Sequence, residues 1–260
     1  MAITEISPST PTPNPDDADS RAPGDKEMTL LEHLDELRSR LVASVIGVVV
    51  GILVALIPLP GFGSITEFVV RLLVRLAPGG KVQAIGPGEA FFTFLEVAMI
   101  IGVALAMPVL IWQILSFVAP ALYENEKRYL FIAVPGVTLS FASGVVFCYY
   151  LMLPFSIAFL GSFQTDIFDQ NWTAERFLDF VATFMLWVGV TFELPIVMYF
   201  LSKMGVVSAQ RLASFRKYAF VLAFVLGAII TPTPDPINQT IVSMPIYLLF
   251  ELGVLLARFA

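Results

Sequence analysis

Long apolar stretches that carry almost no charge recur along this chain, separated by short polar segments. A helix that crosses a bilayer needs about 20 apolar residues, or about 17 at the short end. Four stretches meet this length, and two further apolar segments flank the proline-dense run Thr231–Pro236. Because proline lacks an N–H donor and breaks helices, these last two segments are predicted to form a tight hairpin whose first arm is short. The predicted spans are 41–57, 92–117, 129–152, 177–201, 218–230 and 238–257.

Composition supports the same class of protein. Hydrophobic residues make up 57% of the chain, charged residues only 14%, and the mean hydropathy is +0.83, far from the soluble norm of about a quarter charged. We therefore predict an all-α, polytopic membrane protein with six transmembrane helices in a membrane domain over residues 28–260. Residues 1–27 are rich in Pro, Asp and Ser and are predicted to form a disordered acidic cytoplasmic tail. Nucleic acid is not an expected partner.

Basic residues predict the orientation. If both termini lie on one side, that side collects eleven Lys and Arg residues, and the opposite side holds four: Arg71, Arg75, Lys81 and Arg176. The positive-inside rule then places the N and C termini in the cytoplasm, in a cell membrane. The segments 58–90 and 154–176 and the proline-rich turn are predicted to be extracytoplasmic.

Groups suited to catalysis are scarce. The single histidine, His33, and the single cysteine, Cys148, cannot build a zinc site of the usual ligands. The chain contains no GxxxxGK[ST] loop for nucleotide binding. We therefore expect no enzyme activity, no metal and no cofactor.

An acidic helix is predicted directly before the first span. Thr29 and Glu32 form a capping box, and Leu30, Leu34, Leu37 and Leu41 form one apolar stripe opposite Glu32, Asp35 and Glu36. Membrane-surface helices usually present basic residues to lipid, so an acidic face favours a basic protein partner. The alternative is a solvated face with a Glu36–Arg40 pair at i, i+4.

Two more acidic positions stand out. In the loop 117–128, Glu124 and Glu126 lie beside Leu122 and Tyr123; they could bind a cation or simply interact with the dipole of the following helix. Glu193 lies deep in the fourth predicted span, where an acid costs about 2.5–3.5 kcal/mol and is functional by default. A structural role for Glu193, hydrogen-bonded within the bundle near Thr231 and Gln239, is the alternative.

The strings LLEHLDELRSRL (30–41), FVAPALYENEKR (117–128), FELP (192–195) and ITPTPDPINQTIVSMPIYLLFELGVLLAR (230–258) together resemble TatC, the large subunit of the twin-arginine protein translocase. This resemblance extends from about Met28 to the C terminus. It implies a receptor that recognises Arg-Arg signal peptides of folded proteins and, with small single-span TatA/TatB-type partners, exports them with the proton-motive force. A hetero-oligomer with several copies, embedded in the lipid bilayer, is implied as well.

The resemblance also assigns roles to residues. Glu36 and Glu126 match the acids that contact the arginine pair. Around them, the implied signal-peptide surface also contains Arg38, Phe117, Pro120, Leu122, Tyr123 and Glu124. The implied docking patch for partner helices contains Glu193, Thr231, Asp235 and Gln239.

One position departs from the family pattern, since Glu96 stands where a lysine is expected in many relatives. An alternative function is an ion-coupled secondary transporter of a small solute, with Glu193 as the coupling carboxylate and the last two segments as broken helices. Such a transporter should show pseudo-symmetric halves and several polar residues at mid-membrane, whereas this chain places one clear acid there and its other acids at the predicted cytoplasmic surface.

Overall fold

The structure is a computed structural model. Contacts divide the chain into two units, Met1–Arg38 and Ser39–Ala260. The predicted tail 1–27 and the capping residue Thr29 lie outside the described residues. These comprise residues 30–61, 63–118, 127–163, 167, 171–231 and 235–260.

Within the described residues the chain is almost entirely helical. Its one β ladder is the antiparallel pair β1 (Pro58–Leu59) and β2 (Gly63–Ser64). Ser64 also caps the following helix, because its hydroxyl accepts a hydrogen bond from the Glu67 amide at 3.1 Å. The α-helices are α1 (Leu30–Leu56), α2 (Ile65–Val74), α3 (Glu89–Val118), α4 (Lys127–Phe147), α5 (Leu153–Ser162), α6 (Ala174–Thr191), α7 (Leu194–Lys203), α8 (Ala209–Ser214), α9 (Arg216–Ile230) and α10 (Pro236–Leu256).

Among the described residues, five stretches of helix are long and apolar enough to cross a membrane. The remaining apolar helix, α9, has 15 residues and rises about 22 Å, less than the hydrocarbon thickness of about 30 Å. The six-span count therefore stays a prediction. The five stretches are Leu34–Leu56, Glu89–Ile114, Val134–Ser162, Ala174–Lys203 and Pro236–Leu256.

Two helices differ from their predicted extents. α1 joins the predicted acidic helix and the first predicted span in one continuous helix, because neither proline nor glycine interrupts residues 30–46. α4 continues through a π-helical turn, Cys148–Met152, directly into α5, although the sequence predicts a loop from Pro154. The Leu153 amide reaches back five residues to the Cys148 carbonyl, and this wider turn accommodates Pro154 at the start of α5.

The main hydrophobic core is centred on α6. Phe177, Val181 and Phe184 of that helix are almost completely buried and pack with Leu73 of α2 and Met152 of the π turn. The chain segments that precede α3 and α6 are joined by backbone hydrogen bonds at the same end of the bundle, where Gln83 pairs with Thr173.

α1 packs against α3 through glycines. A Cβ on Gly51 would collide with the carbonyl group of Gly102, and a Cβ on Gly102 would lie 2.7 Å from the Ile52 backbone nitrogen. Gly47 and Gly51 form a GxxxG pattern, which brings membrane helices into backbone contact. Further along the crossing, Arg40 of α1 donates to the Gln113 side chain at 3.3 Å. Most of the remaining apolar surface of α1 is exposed.

Candidate functional site

The first candidate residues lie on the amino-terminal part of α1. Glu36 is half-buried and Arg38 is exposed. Because α1 is continuous, these charges stand on a helical extension of the first span. Leu34 and Leu37 of the predicted apolar stripe are exposed, as expected for side chains that face lipid or a partner.

The second group of candidates follows α3. Phe117 is half-buried in the last turn of that helix, next to the buried Ser116. The other predicted members of the peptide-binding loop lie outside the described residues: Pro120, Leu122, Tyr123, Glu124 and Glu126.

Glu193 lies at the break between α6 and α7. Pro195 lacks an amide proton, so α6 stops at Thr191, and α7 begins at Leu194. The fourth predicted span, 177–201, is therefore interrupted beside Pro195. The Phe192 carbonyl at the break accepts a hydrogen bond from the Ser140 hydroxyl of α4 at 2.6 Å.

The Glu193 side chain is only 3% exposed. It lies against the Phe141 backbone of α4, yet among the described residues neither of its carboxylate oxygens has a hydrogen-bond partner. A buried polar group without a partner is costly. Such a group favours a polar partner supplied by another molecule.

Thr231, Asp235 and Gln239 lie where α9 ends and α10 begins. The Thr231 hydroxyl is buried and donates to the Gly227 carbonyl at 2.8 Å. Asp235 caps α10 and accepts from the Asn238 amide at 2.7 Å. Gln239 crosses to α9 and donates from Nε2 to the Phe224 carbonyl at 2.9 Å. We call these three residues the α9–α10 cluster.

The structure does not bring Glu193 to the α9–α10 cluster. Pro195 and Met198 of α7 pack against Gly253, near the other end of α10. Gln239 precedes Gly253 by 14 positions, or about 21 Å at 1.5 Å per residue. Ser202 bonds to Ala257 while Met198 packs on Gly253, so α7 and α10 run in the same direction, and Glu193 lies on the Gln239 side of Gly253, less than 21 Å from the level of Gln239.

Two contributors to these sites were not predicted from the sequence. Asn238 is 2% exposed and donates from Nδ2 to Asp235 at 3.0 Å. Its position beside Gln239 in an apolar segment could have identified it from the sequence. Ser140 supports the α6–α7 break from another helix, and no sequence signal links it to Phe192. Glu96, where relatives are expected to carry lysine, lies beside the carboxylate of Asp179 on α6.

The sequence matches the family described as Sec-independent protein translocase protein (TatC) over residues 32–245. The chain belongs to the TatC family. Among its relatives, the Sec-independent protein translocase protein TatC of Carboxydothermus hydrogenoformans is 35% identical, covering 90% of this chain and 95% of the relative. The TatC protein of Deinococcus radiodurans is 37% identical, covering 88% of this chain and 85% of the relative. The chloroplastic TATC protein of Arabidopsis thaliana is 32% identical, covering 91% of this chain and 68% of the relative.

A solved structure described as the twin arginine translocase receptor TatC has the same fold. It superimposes with a TM-score of 0.74 at 33% identity and covers 88% of this chain and 99% of the solved chain. TatC proteins are components of a protein translocase, and nothing in the comparisons indicates catalysis. Family membership does not favour the small-solute transporter.

Proposed function

We propose that this chain is the receptor and core subunit of a twin-arginine translocase. It binds Arg-Arg signal peptides of folded proteins at the cytoplasmic face and, with small single-span subunits, moves the cargo across the membrane with the proton-motive force. The observation that carries this proposal is the match over 88% of the chain to a structure described as a twin-arginine translocase receptor.

Recognition rests on two carboxylates. Glu36 lies half-buried on the helical extension of the first span, and Glu126 stands in the sequence between α3 and α4. A guanidinium group presents a planar fork of donors that can bind a carboxylate with two parallel hydrogen bonds. A lysine ammonium presents a point charge and reproduces this geometry poorly. The two acids therefore explain a preference for consecutive arginines over lysines.

The remaining residues of the proposed peptide surface combine apolar and charged side chains. Phe117, at the end of α3, is half-buried and offers an aromatic contact beside the loop. Arg38 is exposed two positions after Glu36, where it can limit repulsion between neighbouring acids. Pro120, Leu122, Tyr123 and Glu124 complete the proposed surface.

Partner helices dock at two polar sites, Glu193 and the α9–α10 cluster. Glu193 is a buried acid without a hydrogen-bond partner among the described residues, so a polar group from a partner helix relieves an unfavourable burial. The α9–α10 cluster offers Thr231, Asp235 and Gln239 at the other site. A single-span helix long enough to cross the bilayer reaches both, because their separation along the bundle is less than the membrane thickness.

The proposed topology has six spans with both termini in the cytoplasm. α9 supports a short fifth span, and the Gln239–Phe224 hydrogen bond supports α9 and α10 as the two arms of a hairpin. The charge asymmetry of eleven to four basic residues supports the orientation. The cell membrane is the proposed location.

Site-specific photocrosslinking tests the function. A photoreactive residue at position 126 of the full chain should cross-link to a twin-arginine signal peptide, and the cross-link should be lost when both arginines are replaced by lysines. The control places the same photoreactive residue at Gln83, before the N-terminal end of α3, whereas position 126 lies after its C-terminal end. This control should give no cross-link. Equal cross-linking of both peptides at position 126, or none of either, overturns the proposal.

A further inference from the structure

An apolar cavity lies between α2, α3, α4 and α6. Its volume is about 490 Å³, and its walls include Leu72 of α2, Ala104 and Pro108 of α3, and Ala142 of α4. Protein interiors are close-packed, with few voids larger than a water molecule. A space of this size is therefore a binding site for something that the chain itself does not supply.

The lining excludes a polar occupant. Every lining residue is apolar except Thr138, and the Thr138 hydroxyl already donates to the Val134 carbonyl at 2.9 Å. Water in such a cavity would lack the two to four hydrogen-bond partners that it needs. The occupant must therefore be hydrocarbon.

The cavity opens toward the lipid-facing side of the bundle. Leu105 of α3 and Val146 of α4 line it and are 43% and 54% exposed, and Ala142 between them is exposed as well. Hydrocarbon from the surrounding bilayer can enter here without unfolding any helix.

The volume favours an acyl chain over a protein helix. A helix with its side chains is about 10–12 Å wide and rises 5.4 Å per turn, so one turn alone takes up roughly 500 Å³. A spanning helix has five or more turns, so most of it would have to lie outside this cavity. A flexible chain one methylene wide has no such restriction.

A cation lies one helical turn from the cavity wall. Arg75 follows the cavity-lining Leu72 by one turn on the same face of α2. Arg75 is exposed and has no ion-pair partner within the described part of the chain, whereas its neighbour Arg71 is paired with Glu67. The Leu72 carbonyl also accepts a hydrogen bond from Tyr149 at 3.4 Å, which fixes this end of α2 over the π turn. A guanidinium in this position complements a phosphate.

We infer that this cavity is a phospholipid-binding site, in which one acyl chain fills the space between α3 and α4 and the phosphate binds Arg75. The lining contains none of the proposed signal-peptide or partner-docking residues, although Phe141 in its wall also lies against Glu193. The proposed orientation places the phosphate in the extracytoplasmic leaflet.

Photoaffinity labelling in vesicles tests this inference. The full chain is reconstituted with phosphatidylglycerol that carries a diazirine on one acyl chain, and labelled residues are mapped by mass spectrometry. We expect labels concentrated on cavity residues of α3, α4 and α6. Ala142→Phe and Val146→Phe should lower cavity labelling about tenfold, the effect of excluding a few methylenes. Ala228→Phe, on the exposed surface of α9, is the matched control and should change nothing.

A second pair of variants tests the phosphate contact. Arg75→Ala should lower labelling by the phospholipid severalfold and leave labelling by a diazirine-bearing diacylglycerol unchanged, because the latter has no phosphate. Arg71→Ala, whose guanidinium is already paired, should affect neither lipid. Labelling spread evenly over all exposed apolar faces overturns the inference. Displacement of the label by a single-span partner peptide also overturns it, since the cavity then binds a helix.

Discussion

Gly51 of α1 and Gly102 of α3 are in direct backbone contact, with no room for a Cβ atom on either residue. This contact lets two long helices cross closely, and it is where α1, otherwise largely exposed, joins the bundle. Small residues at a crossing are the usual basis of helix association in membranes, where the hydrophobic effect contributes little between helices.

Substituting either glycine should destabilise the protein. Gly51→Ala or Gly102→Ala places a methyl group against backbone atoms that cannot rotate away, and overpacking of this kind typically costs about 1–3 kcal/mol. Thermal unfolding in detergent measures the loss. Gly136→Ala is the control, because its added methyl group meets only Ile196 Cδ1 at 3.8 Å and should be neutral or slightly stabilising. Equal Tm values for all three variants would contradict the crossing.

The hydrogen bond between Ser140 and Phe192 should stabilise the break in the fourth span. Ser140→Ala removes the donor that satisfies the Phe192 carbonyl, and interhelical hydrogen bonds in membranes contribute about 0.6 kcal/mol on average, up to roughly 1.7. Ser143→Ala removes a hydroxyl that bonds only within α4 and should change stability less. An unfolding free energy lowered more by Ser143→Ala than by Ser140→Ala would reverse the assignment.

The two docking sites should contribute independently to partner binding. Sites separated by more than about 10 Å usually give additive free energies within about 0.5 kcal/mol, and Glu193 and Gln239 are farther apart than that. Binding of a labelled single-span partner to Glu193→Ala, Gln239→Ala and the double variant, in reconstituted bilayers, measures the coupling. A coupling well above that limit would mean that the two residues act as one site.

The same Glu193→Ala variant should leave signal-peptide binding near normal. Its export rate should fall because the partner assembly is loosened, and disulfide trapping between α7 and a partner helix should decrease. Loss of peptide affinity with intact partner cross-links would instead assign Glu193 to recognition.

Reporter fusions test the topology. A reporter after Ala260 or before Met28 should be cytoplasmic, and one at Gly80, which lies between α2 and α3, should be exported. Protease access to the Gly80 site from the cytoplasmic side would overturn the orientation.

Much of the fold follows from the sequence because apolar length and proline position are local signals. The predicted limits 92–117 and 238–257 differ from α3 and α10 by only a few residues. The loop predicted from Pro154 was wrong, because the π turn that lets the helix continue past this proline has no recognisable residue pattern. The relative depth of Glu193 and Gln239 could not be predicted from the sequence either, since it depends on how α7 packs against Gly253.

The affinity of the purified full chain for a twin-arginine signal peptide and for its twin-lysine counterpart tests the central claim most directly. Glu36→Ala and Glu126→Ala should each weaken twin-arginine binding about tenfold or more, since a charged hydrogen bond contributes about 1.5–3 kcal/mol. The weaker twin-lysine binding should change far less, and Glu175→Ala, an exposed acid at the start of α6, should leave both affinities unchanged. Wild-type affinity in both glutamate variants, or equal losses for the two peptides, would contradict recognition of the arginine pair by Glu36 and Glu126.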